Sequence, residues 1–359
     1  MPLLVSISSL KGGVGKTSVT LGLASAALAA DMRVLVVDMD PHGDASTGLA
    51  VEDGGTDVGT MLSRPKKFTL SEEIVPSGWN ALAEKAVMER QLQNEAEDFA
   101  EDDEEPATED PAEDAVDTAE GSAIDADSRA EEDGESNYDE LDEGYEYVTE
   151  DTSAVEVEYE DETANPDLET DSVDEHQELT NPAGSRCGSV DVVRGSAATT
   201  GLESLTLKKA LPRLRQLLDG EVEDYDLVLI DCPPTLGRLT SMAWAASDRV
   251  ISIAEPSLFS VAGTERTLRA IARFEQNSEY SVGAASVVIN KVQDNNPEHN
   301  YRIEEMTTLF GELVAVPSLP EFESFQRIQG SAYPVHFWPE PAAQDFAQKL
   351  TDLLEGLLN

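Results

Sequence analysis

Basic side chains are in short supply in this chain: 24 lysines and arginines stand against 73 aspartates and glutamates, a formal charge of −49 at pH 7 over 359 residues. Cysteine is nearly absent. Cys187 and Cys232 are the only two, which rules out a disulfide framework and suits a reducing cytoplasm. There is no run of about 18 apolar residues, so no transmembrane segment is expected. The N-terminus lacks a charged stretch leading into an apolar core and a cleavage site, so no secretory leader is expected. The acidity itself is local. Between Glu95 and Glu178 lie 38 of the acids and one base, Arg129, while the remainder holds 35 acids against 23 bases. Outside that stretch the apolar residues cluster well enough to build a core.

What the chain does have is the string Ser9-Leu10-Lys11-Gly12-Gly13-Val14-Gly15-Lys16-Thr17-Ser18. It follows an apolar run, Leu3 to Ile7, that reads as a buried strand, and precedes Val19 to Ala30, which reads as a helix. In that setting the glycines let consecutive backbone N–H groups turn inward, and the helix N-terminus adds positive potential, so the stretch reads as a phosphate-binding loop. Gly12, Gly13, Val14, Gly15 and Ser18 would form the cradle, Lys16 would neutralise the β- and γ-phosphates, and the Thr17 hydroxyl would complete a Mg²⁺ shell. The usual loop opens on glycine. Here Leu10 takes that place and Lys11, a second lysine, follows it.

The apolar run Arg33 to Asp38 reads as a central parallel strand ending in an acid. The carboxyl ends of parallel strands face the ligand crevice, so Asp38 and Asp40 are expected to point at the phosphates. A carboxylate such as Asp40 can accept a water proton there while Mg²⁺ and the lysines offset its charge. A second such run, Tyr225 to Asp231, continues into Cys232-Pro233-Pro234 and places Asp231 to hold a Mg²⁺-bound water. Further strands are expected at Ser189–Arg194, Arg249–Ala254, Ala284–Asn290 and Leu313–Val316. Helices are expected at Leu202–Leu218 (interrupted or restarted at Pro212), Ser260–Phe274 and Pro341–Leu358. Asn290, at a strand end, either offers its amide to a base or caps a turn.

From residue 84 to 184, Glu, Asp, Ala, Ser and Thr dominate. Such a segment cannot bury enough apolar surface to offset the entropy of ordering it, and it reads as a disordered acidic insertion in a surface loop, with helix near 84–97. Val155 to Tyr159 alternates like a strand, but like charges share one face. The expected fold is thus a single α/β domain, 1–83 with 185–359, with a doubly wound, mostly parallel sheet and its nucleotide at the carboxyl edge.

The loop resembles the deviant Walker A loop of the ParA/MinD family of P-loop ATPases, partition ATPases of the ParA/Soj type most of all. Asp38 to Ser46 is similar to the family's Asp-x-Asp-Pro-Gln-Gly-Asn-Ala-Ser switch, with His42 for Gln and Asp44 for Asn. Asp231-Cys232-Pro233-Pro234 resembles its Asp-Cys/Thr-Pro-Pro motif, and Val287 to Val292 the segment whose Asn reads the adenine edge. The resemblance covers roughly 1–60 and 189–359. It implies ATP and Mg²⁺ as ligands, with Lys11, Lys16 and Asp40 catalytic, Thr17 and Asp231 at the metal and Asn290 at the base. It further implies an ATP-dependent homodimer in which Lys11 reaches the partner's phosphates and Asp40 orients the attacking water. Hydrolysis of ATP to ADP and phosphate would drive a cytoplasmic switch that positions or segregates DNA or another cargo, aided by a hydrolysis-stimulating partner protein.

A MinD-like cell-division or other positioning ATPase is the alternative within the family. An iron–sulfur reductase of the nitrogenase iron-protein type shares the loop but needs two cysteines per subunit at a cluster. A non-enzymatic acidic scaffold leaves the intact Lys16, Thr17, Asp40 and Asp231 unexplained. The closing helix carries acids where the membrane-binding branch carries bases, so membrane binding is not expected. Direct DNA binding would need a basic row. Arg266, Arg269 and Arg273, at i, i+3 and i+7, could touch phosphates or only solvate a surface. The insertion, at about −37, would repel DNA at low salt.

Overall fold

The computed structural model describes residues 1–52, 54–88, 188–282 and 284–359. The strand-like alternation at 155–159, Cys187 and nearly all of the expected insertion lie outside the described residues. Seven strands form one sheet: β1 (Leu3–Ser8), β2 (Arg33–Asp38), β3 (Val75–Pro76), β4 (Ser189–Val193), β5 (Leu227–Asp231), β6 (Arg249–Ala254) and β7 (Ala284–Ile289). Their order across the sheet is β3-β4-β2-β5-β1-β6-β7. All pairings are parallel except β3 with β4. Pro76 sits in the edge strand, where its missing N–H removes no ladder bond.

The helices are α1 (Lys16–Ala29), α2 (Asp44–Gly48), α3 (Val58–Ser63), α4 (79–88), α5 (Leu207–Ala210), α6 (Pro212–Leu218), α7 (Arg238–Ala246), α8 (Leu258–Asn277), α9 (Pro297–Phe310), α10 (Ser324–Gly330) and α11 (Pro341–Leu358). The central strands are apolar on both faces because both are covered. Val34 and Val36 of β2, with Leu227 and Leu229 of β5, join the cluster that includes α1 and α11. The alternate residues Leu35, Val37, Val228 and Ile230 join the cluster that includes α6 and α7. This is the period of two expected of a pleated strand. α1 is apolar on all sides and buried along most of its length, lying under the apolar stripe Phe346, Leu350, Leu353, Leu354 and Leu357 of α11.

Several expectations shift. Leu313–Val316 is not a strand but the end of a 3₁₀ turn and a single bridge from Val314 to Val287. Pro317, lacking an N–H, interrupts the pairing, which resumes where Leu319 N donates to the Ile289 carbonyl at 2.8 Å. The helix expected from Leu202 is a 3₁₀ turn, Ala197–Ser204, followed by α5 and α6, with the restart at Pro212 as expected. α9 has no counterpart in the sequence reading, although Asn296, whose side chain accepts from Glu298 N and His299 N, followed by Pro297, marks its start. Gly188, which leads into β4, packs on the Leu28 carbonyl and Asp31, at the end of α1 away from the phosphate loop.

Candidate nucleotide site

Because β1, β2, β5, β6 and β7 run parallel, their carboxyl ends share one edge of the sheet, and the loops that follow them enclose a cleft of about 590 Å³. It is lined by Gly12, Lys16, Thr17, Asp40, Asn290 and Phe322, among others. The loop after β1 turns through two glycines at positive φ, Gly13 at 77° and Gly15 at 92°, a region that side-chain-bearing residues rarely adopt. At Gly15 space is limiting as well. A Cβ there would lie 2.4 Å from Asn290 Nδ2.

Lys16 opens α1 and is 7% exposed, yet its ammonium makes no hydrogen bond or ion pair among the described residues. A buried cation without an anionic partner is unfavourable unless a ligand supplies one. Next to it, Thr17 Oγ1 donates to Asp231 Oδ2 at 2.8 Å, and Thr20 Oγ1 donates to Oδ1 at 3.0 Å. Asp38 and Asp231 are register partners on β2 and β5, and both are fully buried. Burial pushes Asp38 up to about 6. Burial, with the neighbouring Asp38 charge, pushes Asp231 up to about 7. Two oxygen-bearing groups, a hydroxyl and a carboxylate, thus converge beside an unpaired lysine, a donor set that suits a hard divalent cation and phosphate oxygens.

Asp38 is held by Ser46, whose N–H (2.9 Å) and Oγ (2.7 Å) both donate to Oδ2, and by the Asp40 N–H on Oδ1. Ser46 Oγ in turn accepts from Gly195 N at 3.0 Å. Gly195 must be glycine here, since a Cβ would sit 2.6 Å from the Asp38 carboxyl carbon. Asp40 faces the cleft. Its Oδ1 is engaged by His42 N at 3.0 Å and His42 Nδ1 at 2.9 Å, and that hydrogen bond raises the exposed His42 above its ordinary value.

On the other side of the cleft the sequence reading missed Glu255 and Lys291. Lys11 Nζ donates to Glu255 Oε2 at 2.7 Å, with Ser257 and Ser260 hydroxyls at 3.4 and 3.5 Å. Lys291, at φ 60°, donates to Glu255 Oε1 at 3.0 Å and to the Gly13 carbonyl at 2.6 Å. Burial pushes Glu255 up, but the two lysines outweigh it and hold the carboxyl below its ordinary value. Glu255 directly follows β6, so the same rule that singles out Asp38 and Asp231 at strand ends could have found it. Asn290 donates Nδ2 to the Val14 carbonyl at 2.9 Å, which leaves its Oδ1 for a ligand. Ser18 Oγ meets Gln329 Oε1 of α10 at 3.3 Å. Of the residues expected at the site, Gly12, Gly13, Gly15, Lys16, Thr17, Ser18, Asp40 and Asn290 line the cleft, and Val14 and Asp231 contact residues that do; Lys11 is turned to Glu255, Ser257 and Ser260 instead, and the row Arg266, Arg269 and Arg273 lies along α8.

Comparison with known proteins follows this geometry. A 49-residue stretch is 47% identical to the chromosome partitioning protein ParA of Myxococcus xanthus, covering 14% of this chain and 17% of that protein. An uncharacterized protein of Methanocaldococcus jannaschii is 24% identical over 148 residues, 40% of this chain and 57% of that one. The chain thus spans less than two thirds of the length of these curated relatives. Among solved structures, a Cyanothece McdA variant in complex with ATP superposes with a TM-score of 0.60 at 14% identity, over 99% of this chain and 96% of that one. A profile of the CbiA family, the CobQ/CobB/MinD/ParA nucleotide binding domain, matches residues 5–335. With phosphate loop, strand-end acids and parallel sheet all inside that span, the chain belongs to the CobQ/CobB/MinD/ParA nucleotide-binding family.

Proposed function

We propose that this protein is a Mg²⁺-dependent ATPase switch of the ParA/MinD type, which dimerises on ATP and hydrolyses it to ADP and phosphate in the course of positioning DNA or another cargo. The observation that carries the reading is Lys16, a buried ammonium with no hydrogen bond or ion pair among the described residues, in a glycine loop beside the Thr17–Asp231 pair. Lys16 and the loop N–H groups would hold the β- and γ-phosphates, and Thr17 and Asp231 would hold the Mg²⁺, which when bound supplies charge neutralisation on the phosphate oxygens. Asp40 lines the cleft, and its Oδ1 is committed to His42. Oδ2 would accept a hydrogen bond from the attacking water and orient it. Asn290 Oδ1, with its amide N–H₂ fixed on Val14, would accept from the exocyclic amine of adenine. Lys11 would leave Glu255 to reach the partner's phosphates.

Two competing readings lose ground on specific contacts. Cys232 is fully buried and burial pushes its thiol up to about 12, a poor start for a cluster-ligating thiolate. The apolar stripe of α11 is packed into the core, so it is not free to lie on a bilayer, and among the described residues no helix is long and apolar enough to cross one. The test is ATP turnover by the purified chain with Mg²⁺ and with chelator, alongside sedimentation with and without ATP. Mg²⁺-dependent release of phosphate and ATP-dependent self-association are expected. Failure to bind ATP would remove the reading.

A further inference from the structure

We propose that His42 is a positioning residue for hydrolysis, its backbone N–H and ring Nδ1 together fixing the Asp40 carboxylate and making turnover sensitive to pH. His42 stands where the ParA/MinD switch motif carries Gln. A glutamine can donate a hydrogen bond from that place but cannot titrate, whereas a histidine does both. This role rests on the ATPase reading and adds to it one residue and one pH dependence.

The turn that carries His42 is fixed without the imidazole. Asp40 lies two residues past β2, and Pro41, whose ring presets φ for such a turn, follows it. The turn closes where Gly43 N donates to the Asp40 carbonyl at 3.1 Å, with Gly43 at φ 71°. On one side the Asp40 N–H donates to Asp38 Oδ1 at 3.2 Å, and on the other Ser46 of α2 holds the same Asp38 carboxyl. What the ring adds is a second donor on the Asp40 side chain. Nδ1 meets Oδ1 at 2.9 Å, beside the backbone donor at 3.0 Å. With both donors on one oxygen the carboxylate loses its freedom to swivel. Oδ2, which accepts no hydrogen bond among the described residues, is thereby held in place. A group that orients water needs this, because a misplacement of about 1 Å can cost on the order of 100-fold in rate.

A carboxylate only accepts, so Nδ1 carries a proton in this contact and Nε2 is the end that gains or loses one. The ring is open to water: its side chain is 77% exposed, against 11% for Asp40. The charged groups around it are Asp40 and Asp44 from its own turn and, on the other walls of the cleft, Lys16, Lys291, Glu321 and Glu323. The hydrogen bond to Asp40, with the charges of Asp40 and Asp44, raises the ring above its ordinary 6.5. The imidazolium therefore persists to higher pH than in a free histidine. In that form it draws more of the charge on Oδ1 and leaves Oδ2 a weaker acceptor for water. Turnover is expected to fall as pH drops through the raised value of the ring, and to level off above it.

The test pairs kinetics with a titration of the ring in the full chain. Phosphate release is measured at saturating ATP and Mg²⁺ across the neutral pH range. H42A should lose on the order of 10-fold in kcat with KM little changed, a smaller loss than that of Asp40→Ala. H42Q should recover most of that turnover and lose the acid limb. A purely structural role would lower ATP binding or the melting temperature and leave the shape of the pH profile alone. Independently of turnover, the ring of His42 is titrated by NMR in the ligand-free protein, its resonance assigned by its absence from H42A. In D40N it should titrate closer to 6.5 than in wild type. An H42A chain with wild-type kcat, an acid limb that survives in H42Q, or a ring that ignores D40N overturns the proposal. If the wild type releases no phosphate, the ATPase reading fails and the positioning role goes with it. If the wild type turns over and H42A matches it, the positioning role alone fails.

Discussion

At the ends of β2 and β5, Asp38 and Asp231 sit side by side, fully buried, with hydroxyl and amide donors but no ion pair among the described residues. Across β1, at the ends of β6 and β7, Glu255 stands between Lys11 and Lys291, and the three are partly exposed. The first group holds like charges together in low dielectric, and the result is two carboxyls that resist ionising. The second neutralises itself. Polar groups that conflict with one another mark where a cation and an anion belong, while groups already balanced can exchange partners at small cost. One half of the cleft is thus preset for ligand, and the other half is set to rearrange.

The largest effect expected on the preset half comes from Lys16→Ala. Removing the buried Lys16 ammonium, proposed above to hold phosphate, should weaken nucleotide binding by about 3–5 kcal/mol, more than about 100-fold, the range for stripping a partner from a buried charge. Titration calorimetry with an ATP analogue checks this, and near-normal affinity would contradict the assignment of the loop.

A pH experiment probes the paired carboxyls. Their folded values, about 6 and about 7, lie above the ordinary 3.8. The folded chain therefore binds these protons more tightly than the unfolded chain, and the stability they contribute is lost as pH rises from about 4 to about 7. For Asp231 the loss is on the order of 4 kcal/mol. Asp231→Asn should remove most of that slope and raise the melting temperature at pH 8 in chelator. A melting curve indifferent to pH over that window would mean the two acids are not in conflict.

Asp40→Ala should retain ATP yet lose about 100-fold in turnover, the usual weight of a positioned acid–base group. Phosphate release and nucleotide retention, measured together, separate this from a binding defect. Turnover at the wild-type rate would return Asp40 to a turn residue.

The preset half was legible in the sequence and the balanced half was not. Lys16, Thr17 and Asp231 belong to short contiguous strings whose local structure is fixed by strand, turn and helix signals within about a dozen residues. The Lys11–Glu255–Lys291 contact joins residues 244 and 36 apart, and it exists only because β1 lies beside β6 and β6 beside β7. No local pattern encodes that order. Asn290 was placed at the cleft, but its tie to Val14 depends on the left-handed turn at Gly15.

The smallest expected effect tests the balanced half. In Glu255→Gln, Lys11 and Lys291 lose their shared anion, but the lysine side chains are 37% and 38% exposed and the glutamate 22%, so stability should change by no more than about 1 kcal/mol. The informative readout is self-association. If Lys11 is needed by a partner's phosphates, Glu255 competes for it, and removing that competitor should strengthen ATP-dependent dimerisation several-fold. Lys11→Ala should instead abolish it, with ATP binding retained. Sedimentation velocity across a concentration series distinguishes these outcomes. Should Glu255→Gln associate no better than wild type while Lys11→Ala still dimerises, the ion pair is a surface contact, and the two halves of the cleft differ in charge alone.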